Sequence, residues 1–62
     1  METNKKLSDY LKGHGISQAF LAEKLGVSAA KLSMMLNGKR KMTADELMRI
    51  CKELKVSPDY FL

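Results

Sequence analysis

The sequence predicts an all-α fold, a compact domain of five short helices spanning residues 1–62. Three observations carry that prediction. Apolar residues recur at spacings of three and four, and nowhere alternate with polar ones as a half-buried strand requires. The breaks between these stripes are Gly-His-Gly, Gly-Val-Ser, Asn-Gly and Ser-Pro, each next to a residue able to stop or cap a helix. With 62 residues, and no repeat, low-complexity tract or linker, the chain has material for one domain.

The elements follow in order. The first helix is predicted over about 4–12, with Thr3 or Asn4 as its cap and Leu7, Tyr10 and Leu11 as its apolar stripe. Gly13-His14-Gly15 ends it, and Ile16 stands ready to staple onto Leu21 across the Ser17 cap. The second helix, 18–25, turns Leu21, Ala22 and Leu25 to one face. Gly26 supplies the positive φ of a sharp end, Val27 plugs the corner, and Ser28 caps a third helix over 29–37 that buries Leu32, Met35 and Leu36. The small Ala22 lets the two helices cross closely. Asn37-Gly38-Lys39-Arg40-Lys41-Met42 reads as a loop bearing three consecutive cations. Thr43 and Glu46 form a capping box for a fourth helix, 44–55, with Leu47, Ile50, Cys51 and Leu54 inward. Ser57-Pro58 starts a last short helix, 58–62.

Two helices joined at a glycine corner make a helix-turn-helix, a motif whose second helix can lie in the DNA major groove. On Gly15-Ile16-Ser17-Gln18, Leu21 through Ser28, Leu32, Asn37-Gly38-Lys39-Arg40 and Leu54 through Leu62, the sequence resembles the Cro-like and phage-repressor-like helix-turn-helix proteins of the Xre class. The resemblance implies the phage-repressor type of DNA-binding domain. It also implies sequence-specific binding of a double-stranded operator, by a small transcriptional regulator of Cro-like repressor type acting as a homodimer in the cytoplasm of a bacterial or phage-infected cell.

By position, the resemblance assigns base readout to Ala29, Ala30, Ser33 and Met34 on the outward face of the third helix, and Lys31 beside them adds polar readout. Phosphate contacts fall to Ser17, Gln18, Ser28, Asn37, Lys39, Arg40 and Lys41, at helix starts and in the cationic loop. The dimer surface is expected at Val56, Pro58, Tyr60, Phe61 and Leu62, with Met42 a weaker candidate. Phe61 and Leu62 have the competing use of closing the monomer core. The chain departs from the family twice. Two alanines and a methionine stand where family members carry side chains that hydrogen-bond to bases, so direct readout is expected to be modest and shape readout to supplement it. A buried Arg–Glu ion pair common in the family is replaced by Leu11 and Leu36, which are expected to touch.

Eleven Lys/Arg against seven Asp/Glu give a net charge of +4, which favours a polyanionic partner. The single Cys51 lies on an inward stripe and reads as a core residue, and His14 has no companion that would make a metal site. Asp45 and Glu46 are adjacent at a helix start and serve the cap. No catalytic constellation, cofactor, metal or small-molecule ligand is expected, nor any signal peptide or membrane span. The alternative function is a protein-interaction module of antitoxin or anti-repressor type. The shortage of hydrogen-bonding groups on the third helix favours it; Gln18 and the loop cations favour DNA.

Overall fold

The computed structural model describes residues 2–62. Four α-helices and a closing 3-10 turn run in the order α1 (Glu2–Gly13), α2 (Gln18–Leu25), α3 (Ala29–Leu36), α4 (Ala44–Leu54) and the turn Pro58–Phe61, with no strand among the described residues. α2 packs on α3 and on α4, α1 packs on α3, and the closing turn lies against both α1 and α4. The result measures 25 × 22 × 20 Å. Every element contributes to one core: Leu7 and Leu11 from α1, Leu21, Ala22 and Leu25 from α2, Leu32, Met35 and Leu36 from α3, Ile50 and Cys51 from α4, and Phe61 from the turn.

The helix ends take the form their sequences dictate. Ser17 Oγ accepts from the Phe20 amide at 3.0 Å, and Ser28 Oγ from the Lys31 amide at 3.0 Å, so the motif helices have matching caps. At the corner, Gly26 adopts φ 73° while its N–H bonds back to Glu23 O and that of Val27 to Ala22 O. This doubly bonded helix end needs a left-handed residue at its centre, which glycine adopts without strain. The same end recurs after α4, but there Lys55 occupies the left-handed position at φ 60°. At Thr43 both halves of the capping box form: Glu46 N donates to Thr43 Oγ1 at 3.2 Å and Thr43 N to Glu46 Oε1 at 2.9 Å.

Leu11 and Leu36 are both buried in the one core, on two helices that pack together. A polar tie between the same two helices exists elsewhere. Asn4 is only 6% exposed, and its Nδ2 donates to Met35 O at 2.7 Å. This corrects the assignment of Thr3 or Asn4 as a cap: α1 already begins at Glu2, and both residues lie inside it. The periodicity of Asn4, Leu7 and Leu11 places the amide on the inward stripe, where it must find a partner or remain an unsatisfied buried group. Three further corrections are small. α3 and α4 each stop one residue earlier than expected, at Leu36 and Leu54, and the fifth helix is a single 3-10 turn. Phe61 is fully buried beside Tyr10 and belongs to the monomer core, which removes it from the dimer surface.

Candidate nucleic-acid interface

α3 shows its inner face to the core and its outer face to solvent. Ala29, Ala30 and Met34 are exposed, as is Asn37 just past the helix end. An eight-residue helix is about 12 Å long, close to the width of a B-form major groove. Two residues assigned to base readout sit differently. Lys31 is half-buried on the edge nearest α4, where its Nζ lies 3.8 Å from Glu46 Oε2. It is therefore turned away from the outward face, because helical periodicity sets it on the flank beside the α2–α4 packing. Ser33 is also half-buried, and its Oγ accepts from Asn37 Nδ2 at 3.3 Å.

The residues assigned to phosphate form two groups. The first is the pair of helix starts. Ser17 and Ser28 are exposed and Gln18 is half-buried at the first position of α2. Neither α2 nor α3 has an acidic residue in its first turn. The Gln18, Ala19, Ala29 and Ala30 amides precede the cap bonds and have no intrahelical acceptor, so both ends keep their partial positive charge. The second group is the loop. Met34 O accepts from the Lys39 and Arg40 amides at 2.9 and 3.1 Å, which folds the loop back over the end of α3. Lys39, Arg40 and Lys41 are exposed, and none is in an ion pair among the described residues. Their charges stand at the negative end of the α3 dipole, which favours them there.

Electrostatics link this loop to α4. The Thr43 amide holds the Glu46 carboxyl below the ordinary carboxylate range, partial desolvation opposes it, and the Lys31 and Arg40 charges add to the lowering. Burial pushes the Cys51 thiol up, in keeping with a core residue rather than a nucleophile.

Sequence reasoning missed two contacts. Besides the Asn4 bond, the Arg49 guanidinium donates to Leu25 O, the last carbonyl of α2. Arginine near a helix end is a known partner for orphan carbonyls, but the end in question belongs to another helix and only the fold reveals it.

At the C-terminal end, Tyr60 is 63% exposed and Leu62 71%, while Val56 and Pro58 are half-buried. Val56 and Pro58 line a shallow groove with Met48, Cys51 and the stems of Arg49 and Lys52. Met42 is half-buried against the core and shares a small crevice with Leu62.

Two short helices crossing at a glycine corner, the second exposed along its outer face and followed by a cationic loop, define a helix-turn-helix DNA-binding domain. The helix-turn-helix family matches residues 7–61, and the chain belongs to that family, the Xre/Cro-like DNA-binding regulators. No curated protein and no solved structure matches the chain.

Proposed function

We propose that this domain binds a double-stranded DNA operator sequence-specifically, as a homodimer, and represses transcription by occupying the operator. The observation that carries the reading is the exposed outer face of α3, bracketed by the acid-free starts of α2 and α3 and by the Lys39–Lys41 loop. In this arrangement Gln18, Ser17 and Ser28 hold phosphates at the helix starts, and Asn37, Lys39, Arg40 and Lys41 hold them at the far end. α3 then enters the major groove with Ala29, Ala30, Ser33 and Met34 toward the bases.

Dimerisation supplies a second set of contacts. Two such domains, each 25 Å in its longest dimension, can lie side by side on half-sites about 34 Å apart, one helical turn. The face that supports pairing is the C-terminal end, with Val56 and Pro58 in the Met48 groove and Tyr60 and Leu62 exposed near it in the chain. The site of action is then the cytoplasm, where operator DNA lies.

The test is a fluorescence-anisotropy titration against a random-sequence duplex and a selected one, at two salt concentrations. Affinity should fall steeply with salt, and Lys39→Ala or Arg40→Ala should weaken both duplexes alike while reducing the salt slope by about one each. Binding that is absent or insensitive to salt points instead to a protein partner on α3, the reading its apolar face otherwise favours. Sites selected from a random pool should show two half-sites; a single half-site refutes the dimer.

A further inference from the structure

The outer face of α3 carries almost no hydrogen-bonding capacity, and the reason lies in the fold as well as the sequence. Of its two polar side chains, Lys31 is directed to Glu46 across the α4 flank, where it closes a small crevice with Leu25, Val27 and Arg49. Ser33 is half-buried and accepts from Asn37, which leaves one hydroxyl proton for a base. A serine hydroxyl serves any acceptor and discriminates poorly between bases. The most exposed large side chain on the helix is Met34, at 42%, while its neighbour Met35 is at 2%. The loop cations Lys39, Arg40 and Lys41 lie beyond its end.

A major groove offers one base-edge group that prefers an apolar contact, the C5-methyl of thymine. Methionine suits that contact. Its unbranched chain has three rotatable bonds and a polarisable sulfur, so it can settle over a methyl group whose exact position varies. Ala29 and Ala30, without long side chains, let the helix approach closely enough for Met34 to reach. We infer that Met34 is a specificity-determining residue, and that the preferred operators present thymine methyls to α3 and are read through those methyls. The inference rests on the DNA-binding reading above.

Deoxyuridine separates the two. It keeps the pairing edge and the O4 acceptor of thymine and lacks only the methyl. The preferred duplex is selected from a random pool by the full chain, then resynthesised with deoxyuridine at one thymine position at a time. At one or two thymines in each half-site, affinity should drop about fourfold, the equivalent of ~0.8 kcal/mol for one buried methyl-sized group. Met34→Ala should bind the thymine and deoxyuridine forms of one such position equally, with unchanged helical circular dichroism and melting. Met34→Gln, similar in length, should lose the same sensitivity, and serves if the alanine variant folds poorly. Equal binding of thymine and deoxyuridine at every position, with tight binding to the duplex retained, overturns the methyl readout and leaves DNA binding standing. Sensitivity that survives both Met34 variants overturns the assignment to Met34. No duplex bound even at low salt overturns both readings together.

Discussion

Helices α3 and α4 bury the same kind of stripe, Leu32, Met35 and Leu36 in one and Ile50 and Cys51 in the other, but differ in what they leave outside. The outside of α4 is mostly charged: Asp45, Lys52 and Glu53 stand on it with Met48, and Arg49 reaches across to the end of α2. The outside of α3 is alanine and methionine. The helix starts differ in the same way. Both have hydroxyl caps, but α4 adds Asp45 and Glu46, which neutralise its positive end from within, whereas α3 adds nothing. A helix that must only fold satisfies its own dipole and hydrates its outer face. A helix that leaves both undone, in a domain this small, has them available for a partner that is anionic at the helix end and apolar in part along its face. DNA meets both conditions, through its phosphates and its thymine methyls.

If that contrast is correct, the insides of the two helices should be interchangeable in cost. Leu32→Ala and Ile50→Ala each remove a fully buried side chain, and each should cost about 2–5 kcal/mol. A domain of this size has roughly 5 kcal/mol to lose, so each variant should keep at most about 3 kcal/mol, read as a urea midpoint lowered by roughly two-fifths or more. A mild effect for Leu32→Ala alone would mean that α3 is held less tightly by the core than α4 is.

The outsides should diverge. Ala30→Glu places a carboxylate on the exposed face of α3, and Lys52→Glu places one on the exposed face of α4. Both should melt within a few degrees of the parent, because neither touches the core. On DNA, Ala30→Glu should weaken binding by more than about tenfold, since a like charge at the centre of an interface costs at least 1.4 kcal/mol. Lys52→Glu should change the affinity for a single half-site, which needs no pairing of domains, by much less. Equal losses would show that net charge, rather than the face of α3, governs binding.

Much of this contrast is legible in the sequence. Hydroxyl residues before apolar stripes located the starts of α2, α3 and α4, and Gly26 located the corner, because caps and turns depend on a few neighbouring residues. The exposed Ala29-Ala30 edge follows from periodicity alone. What was not legible depends on elements distant in sequence. Asn4 reads as a cap until Met35, 31 residues away, supplies the carbonyl its buried amide requires. Lys31 reads as a base-contacting residue until α4 brings Glu46 beside it. Phe61 reads equally well as surface or core, and only the packing of the closing turn on α1 and α4 decides.

The smallest expected effect concerns the two helix starts. Glu46 has its pKa lowered in the fold, chiefly by the Thr43 amide, so the stability it contributes is complete above its unfolded pKa and is lost as pH falls through the lower folded value. Thermal melts of the parent should therefore lose this contribution below the ordinary carboxylate range, and Glu46→Gln should flatten that part of the pH profile. Ser28→Ala removes the α3 cap at a cost of about 1 kcal/mol, but it should leave the profile unchanged, because the first turn of α3 has no carboxylate to titrate. DNA binding should respond in the opposite sense. Ser28→Ala removes a hydroxyl from the proposed phosphate edge and should weaken binding, while Glu46→Gln releases Lys31 from its ion pair and should leave binding unchanged or slightly tighter. A start that titrates and does not bind, beside one that binds and does not titrate, is the pattern expected if one helix is completed by its own side chains and the other by a nucleic acid.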